Sequence, residues 1–205
     1  DGTKAFKEYE TSLSRSQALR TLSFYALIVA FGFFTINIGV MLLHTVPYIV
    51  DGGFTVSDAG WVVFTVSAPA MLSKPVWGYF IDRSPAKPLA AISAAVTGLA
   101  LFLIVLAVSY HEFVWVLLAF VVLGFGWGGM IPLQEVIWAS FFGRRFLGSI
   151  RGAAMPFSLL LGAPAPALVG YYHDMFGRYD EALLIVASLN VLSGVLIFLA
   201  PAPRR

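Results

Sequence analysis

The sequence contains no cysteine, which excludes disulfide bonds, thiolate catalysis and cysteine-ligated metal sites. Charged residues are also scarce: they make up 12% of the 205 residues, against about 25% in soluble domains. Apolar residues reach 59%, above the roughly 45–50% of soluble domains. A water-soluble globule is therefore not expected. The net charge is only +2, and we expect no nucleic-acid partner.

Long apolar segments dominate the chain. A helix needs about 20 such residues to cross a bilayer, and a helix is favoured because lipid offers the backbone no hydrogen-bond partners. Six segments meet this length: 20–49, 58–81, 88–109, 113–140, 149–172 and 181–200. The sequence therefore predicts an all-α integral membrane fold with a six-helix membrane domain at residues 20–200 and a short cytoplasmic tail at 201–205.

Basic residues predict the orientation of these spans. With six spans both chain ends lie on one side of the membrane, and all of the 13 Lys and Arg residues except Lys74 and Arg178 fall on that side. Because cytoplasmic loops carry an excess of Lys and Arg, both termini are expected in the cytoplasm. The expected location is the plasma (inner) membrane.

A short pattern, Gly-Tyr-x-x-Asp, ends two of the predicted spans. It occurs at Gly78–Asp82, after the second span, and at Gly170–Asp174, after the fifth. These are the middle helices of two three-helix units, and the two copies fall on opposite membrane faces. That arrangement is typical of two inverted repeats, as in secondary transporters. The alternative is a chance match, since Gly and Tyr are common near membrane interfaces.

The first copy belongs to the stretch GYFIDRSPAK, which resembles the loop signature of the major facilitator superfamily. The match covers Gly78, Asp82, Arg83 and the final Lys87. It departs where Pro85 replaces a glycine and Ala86 replaces a basic residue.

Other stretches resemble the carboxyl-terminal half of the monocarboxylate and oxalate–formate groups of that superfamily. They are HTVPYIVDGGFTVSDAGW, FFGRRFLGSIRG and PALVGYYHDMFGRYDEALLI. LSRSQALRTLSFYALI resembles the end of the central loop, so residues 1–19 are expected to be a cytoplasmic remnant of that loop. The resemblance implies half of a twelve-helix transporter, a fragment whose missing partner is an amino-terminal six-helix half.

The resemblance also implies a cytoplasmic gate whose charges pair when that side is closed. The residues that match this role are Gly78, Asp82, Arg83, Glu135, Arg144 and Arg145. Gly78 would allow close helix approach, and Asp82 would suit the amino-terminal end of a helix. The alternative for the arginines is that they only follow the positive-inside rule.

Lys74 is the clearest case of an ionisable residue inside a predicted span, which makes it a candidate for function. Several anion-carrying relatives are similar in placing a cation four residues before the signature glycine, where it binds a substrate carboxylate. The alternative is a lysine that snorkels to the headgroups. Relatives with proton coupling carry an acid one turn earlier, where this chain has Ala70.

Two further polar stripes are candidates for a substrate cavity. Asn37, His44 and Tyr48 are spaced to share one face of the first span. Trp127 and Gln134 share a face of the fourth span with Trp138. The alternative for His44 and Tyr48 is an interfacial aromatic belt. We expect the glycine run 124–132 to pack closely against other helices, and Pro164 and Pro166 to break the fifth span.

These observations favour a secondary active transporter that moves a small solute, such as a monocarboxylate, by alternating access, with or without a coupling proton or ion. A non-transporting membrane sensor or scaffold of the same fold is the first alternative. An intramembrane enzyme is the second, because His44, His111 and His173 leave a Ser/His pair open. No hydrolase motif is present in the sequence, so we predict no catalytic residue, no metal and no cofactor.

Overall fold

Helices form all the regular structure in residues 12–203, the part of the chain that the computed structural model describes. The predicted segment 1–19 and tail 201–205 extend beyond that part, so their outer residues lie outside the described range. The helices are, in chain order, α1 (Arg15–Ala18), α2 (Leu22–Asp51), α3 (Val56–Leu72), α4 (Lys74–Ile81), α5 (Ala86–Ser109), α6 (Phe113–Phe142), α7 (Leu147–Gly162), α8 (Ala165–Phe176) and α9 (Asp180–Leu199).

Five helical stretches within residues 12–203 are long and apolar enough to cross a membrane: α2, α5, α6, the stretch Leu147–Phe176 that contains α7 and α8, and α9. Their bounds lie within a few residues of five of the predicted spans. The sixth predicted span, 58–81, is instead two shorter helices, α3 with 17 residues and α4 with 8. Each is shorter than the roughly 20 residues that a span requires.

Proline explains this interruption. Ser73 ends α3 and begins α4, and Pro75 is the second residue of α4. A proline has no N–H for the carbonyl four residues earlier, here that of Met71, and its ring crowds that carbonyl. The break between α7 and α8 has the same origin. Pro164 precedes α8 and Pro166 is its second residue, which confirms the predicted break.

The glycine run of α6 packs against the broken α3–α4 helix. A side chain at Gly124 would collide with the carbonyl oxygen of Val66, and one at Gly128 would collide with Ser73. A side chain at Gly129 would meet the indole of Trp77 in the same way. Close packing by this run was predicted and is confirmed.

The other broken helix, α7–α8, packs against α2. Gly32 faces Leu161, Gly162 faces Thr35, and Gly39 faces Pro166. In both pairs, α6 with α3–α4 and α2 with α7–α8, the residue numbers of the contacting positions increase together along the two segments. The partners in each pair therefore run parallel.

Between these two pairs, α5 and α9 cross in an antiparallel arrangement. Gly98 of α5 lies against the backbone of Val191, and Gly194 of α9 lies against the carbonyl of Ala91. Ser193 also donates a hydrogen bond of 2.7 Å to the carbonyl of Ala30 in α2. Two clusters of buried apolar side chains fill the two ends of this bundle, and Trp127 packs against both.

Candidate functional site

Lys74 lies at the break between α3 and α4, as the first residue of α4. Two nearby residues are held in place. Ser73 is buried, and the indole nitrogen of Trp77, one turn after Lys74, donates a hydrogen bond of 2.8 Å to the carbonyl of Phe125 in α6. Lys74 itself is exposed and forms no ion pair or hydrogen bond within residues 12–203. The helix break thus presents an uncompensated ammonium group.

Asn37 and Trp127, two predicted binding residues, are in direct contact. The indole nitrogen of Trp127 donates a hydrogen bond of 2.8 Å to Oδ1 of Asn37, which joins α6 to α2. Asn37 is fully buried, and its Nδ2 has no partner among the described residues. A buried donor without a partner is costly, so this nitrogen is available to a ligand or to water.

The remaining residues of the two stripes contact other helices. His44 Nε2 lies 2.9 Å from the carbonyl oxygen of Pro166 in α8, so this nitrogen carries the hydrogen. Tyr48 donates to Oδ1 of Asp180 at 3.2 Å. Gln134 is half-buried with no hydrogen bond within residues 12–203, and Trp138 is buried among aromatic rings. The stripe at Asn37, His44 and Tyr48 therefore contacts α6, α8 and α9 in turn.

A group of polar side chains that the sequence analysis did not identify surrounds Tyr48. We call it the tip cluster, and it consists of Tyr48, Asp51, His173, Tyr179 and Asp180. His173 Nε2 lies 2.6 Å from Oδ2 of Asp51, and the imidazole stacks on the ring of Tyr179 with 4.2 Å between centroids. The tip cluster therefore ties the end of α2 to α8 and α9.

Burial raises the pKa of the Tyr179 phenol above its usual value, and the nearby carboxylates of Asp51 and Asp174 raise it further. Tyr179 therefore offers His173 an uncharged aromatic face.

The predicted gate residues lie at the opposite end of the bundle. Arg83 covers the ring of Tyr79, with the guanidinium carbon 3.8 Å from the ring centroid, and donates to the Tyr79 carbonyl at 3.2 Å. Glu135 forms an ion pair with Arg151, an arginine that the sequence analysis did not select. Arg144 has no ion pair in the described part of the chain, while the Arg145 guanidinium lies 5.0 Å from the ring centroid of Phe146.

One local prediction for this end is wrong. Asp82 is the residue that ends α4, whereas Pro85 precedes α5. The carboxylate thus lies at a carboxyl-terminal helix end, where the dipole does not favour it. At Gly78, a Cβ would meet no atom within 4 Å outside the backbone of its own helix and its chain neighbours, so no other helix of residues 12–203 approaches it. The close approach of a helix at Gly78 and the gate role stay predictions.

Cavities and metal sites do not add candidates. A cavity of about 660 Å³ between α5 and α6 is lined mainly by apolar side chains such as Leu103, Leu106 and Leu118, and includes none of the predicted binding residues. Among residues 12–203, no three His, Asp or Glu side chains lie close enough together to hold a metal ion.

Comparison with known proteins gives one clear match. The sequence profile of the Major Facilitator Superfamily matches residues 21–205, nearly the whole chain. None of the curated protein sequences is significantly similar.

Proposed function

Because the chain belongs to the Major Facilitator Superfamily, whose members transport small solutes, we propose that it moves a small organic anion, such as a monocarboxylate, by alternating access. In this proposal six spans form two inverted three-helix repeats, with α3 and α4 together as the second span. They make one half of the transporter.

The exposed, unpaired side chain of Lys74 is the main support for the anion proposal. A charged side chain within the membrane is expensive unless it meets an opposite charge or water. Lys74 has no carboxylate partner in residues 12–203, and Ala70 stands one turn before it. The carboxylate of a substrate in a water-filled cavity supplies the missing charge. An ammonium group binds such a carboxylate as a point charge.

The exposed side of the second span supports a partner half. Gly60, Phe64, Ser67, Met71, Lys74 and Gly78 recur at helical spacing on one face of α3–α4, and none of them is buried. Small residues on a membrane helix allow another helix to approach closely. A second six-helix unit across this face would enclose Lys74 in a cavity near the midplane.

Symmetry within the chain supports the inverted repeat. Both α4 and α8 have proline as their second residue and carry a Gly-Tyr-x-x-Asp copy in their carboxyl-terminal part. Each of these helices also belongs to a parallel pair, α3–α4 with α6 and α7–α8 with α2. An in-plane two-fold axis would exchange these two pairs, as an inverted repeat requires.

The distribution of charge supports a plasma-membrane protein with cytoplasmic termini. Arg83, Lys87, Arg144, Arg145 and Arg151 all lie at or near helix ends on the same side of the bundle. On the other side, the connections within residues 12–203 and the helix ends beside them carry several acidic residues, such as Asp51, Asp58 and Glu112, and only one Arg or Lys, Arg178. The positive-inside rule places the arginine-rich end in the cytoplasm.

Uptake of labelled small carboxylates into vesicles that carry the full-length protein tests the proposal. We expect Lys74→Ala to lower uptake about 10- to 100-fold, since a hydrogen bond to a charged group contributes about 1.5–3 kcal/mol. Lys74→Arg should keep part of the activity, because it preserves the charge. Arg20→Ala is the matched control: it removes a cation that precedes the first residue of α2 and should leave uptake unchanged.

Other outcomes would contradict the proposal. Equal uptake by all four proteins would mean that Lys74 does not bind the substrate. Transport of neutral solutes without any carboxylate would reject the anion class and leave the family assignment intact. No flux of any solute would favour a membrane sensor or scaffold.

A further inference from the structure

The last turn of α2 lies between a proline and a glycine turn. Pro47 lies inside α2 and has no N–H for the carbonyl of Leu43, so one helical hydrogen bond is missing just before this turn. Gly52 and Gly53 follow the helix, and Gly53 has a φ of 87°, which favours glycine. We call residues 48–53 the α2 tip. Its backbone is closed by hydrogen bonds from Gly52 to Tyr48 and from Gly53 to Val50, so side-chain contacts determine how it is held against the neighbouring helices.

Besides the buried Ile49, two polar side-chain contacts hold the α2 tip to the rest of the bundle. Tyr48 donates to Asp180 of α9, and Asp51 pairs with His173 of α8 at 2.6 Å. Tyr48 is only 3% exposed, whereas both members of the Asp51–His173 pair are partly exposed. The second contact is thus accessible to the surrounding medium, and a proton can reach it.

Several ionisable groups contact His173 or lie around the tip cluster beside it. They are His44, Tyr48 and Asp51 from α2, His111 from the α5–α6 connection, Asp174 from α8, Arg178 and Tyr179 from the α8–α9 turn, and Asp180 and Glu181 from α9. Histidine is the side chain whose charge ordinarily changes between pH 5 and 8. Arg178 is already paired with Glu181 at 2.6 Å.

Among the three histidines, His173 is the one whose charge acts on the α2 tip directly. His44 contacts the uncharged carbonyl of Pro166, and His111 lies 3.3 Å from the carbonyl of Ser109. His173 lies between two carboxylates, with Asp51 at 2.6 Å and Asp174 at 3.6 Å. The charge–charge attraction to each carboxylate requires a protonated imidazole.

We propose that the Asp51–His173 pair is a pH-controlled latch on the α2 tip. In acid, protonated His173 and ionised Asp51 attract each other and hold the tip against α8 and α9. As the pH rises and His173 loses its proton, the charge–charge attraction disappears. A neutral imidazole still donates one hydrogen bond from Nε2, so the tip loosens without detaching. In the proposed transporter, this latch would make opening at this end depend on the pH of the medium there.

Spin labelling of the α2 tip tests the latch without a transport assay. These 205 residues contain no cysteine, so once any cysteine elsewhere in the full-length protein is replaced by serine, Val50→Cys gives a single labelling site in the tip, at a side chain that is 38% exposed. In the labelled full-length protein in lipid nanodiscs, we expect the mobile fraction to rise about three- to fivefold from pH 5.5 to pH 8, as for a partly exposed ion pair. His173→Gln and Asp51→Asn should abolish this change.

His44→Gln is the matched control and should keep the full pH response, because its partner is uncharged. A pH response that survives in His173→Gln, or one that is absent in the unmutated protein, would overturn the latch. The latch rests on the proposed function only for its role in gating. A normal pH response in a protein that transports no carboxylate would support the latch and reject the anion proposal.

Discussion

The two Gly-Tyr-x-x-Asp copies end two similar broken helices, yet they have different surroundings. In the first copy, Gly78 has no neighbouring helix and Asp82 has no ion pair within residues 12–203. In the second copy, Gly170 lies against the imidazole of His44, and Asp174 lies 3.6 Å from His173. The first copy is therefore exposed, whereas the second is built into the tip cluster.

The first residues of the two helices that carry these copies also differ in exposure. Pro75 and Pro166 are each the second residue of their helix, but the first residue is the exposed Lys74 in α4 and the buried Ala165 in α8. The pattern thus specifies a proline-broken helix that ends near the membrane surface. The helices packed around it differ between the two copies. In α4 they leave Lys74 exposed and Gly78 without a contact from another described helix, whereas α8 packs against α2. In a transporter, the exposed copy is the one that can contact a second half.

The largest expected effect concerns the anchor of the exposed helix. Trp77 is 4% exposed and donates to the carbonyl of Phe125, and it holds α4 on the glycine run of α6. Trp77→Ala should lower the free energy of unfolding by about 3–5 kcal/mol, as for other buried aromatic residues. Thermal and denaturant unfolding of the solubilised protein would measure this loss.

The neighbouring Val76, which is 43% exposed, provides the control for Trp77→Ala. Val76→Ala should change the free energy of unfolding by no more than about 0.5 kcal/mol. If both substitutions have the same small effect, α4 is not held by Trp77, and the contrast between an anchored indole and a free Lys74 fails.

A smaller effect is expected in the tip cluster, around the second copy. Tyr48→Phe removes the hydrogen bond to Asp180 and should cost about 1.5–3 kcal/mol of unfolding free energy, since the acceptor is charged. Tyr171→Phe removes a hydroxyl group from a side chain that is 64% exposed and has no hydrogen bond in the described range, so it should be nearly neutral. Equal losses for both would mean that the tip cluster does not stabilise the bundle.

Much of the fold could be predicted because it depends on local composition. Five spans appear within a few residues of their predicted bounds, since apolar length alone identifies them. The packing of the glycine run was predictable because only glycine lets helix backbones come so close. The break at Pro164 and Pro166 followed from the missing N–H of proline. The same argument applies to Pro75, and its break could have been predicted from it.

The contacts of the site could not be predicted, because they depend on how the helices are rotated against each other. Asn37 and Trp127 are 90 residues apart, and Asp51 and His173 are 122 residues apart. The sequence identified Asn37, Trp127 and Tyr48 as polar positions but could not name their partners. Asp82 was assigned to the wrong helix end because Ser84 and Pro85 separate it from α5, and the sequence did not show which helix it would join.

The smallest expected effect distinguishes the two copies most directly. Gly78→Ala should raise the free energy of unfolding by up to about 1 kcal/mol, because alanine is the better helix former and no described atom obstructs it. Gly170→Ala should gain less, since a Cβ there would lie 3.4 Å from the His44 ring and the ring would have to shift. Unfolding and carboxylate uptake should be measured on the same preparations. If Gly78→Ala is stable but lowers uptake, while Gly170→Ala does not, the free glycine is a contact for a second half. If both variants transport normally, the exposed face of α4 is a lipid-facing surface.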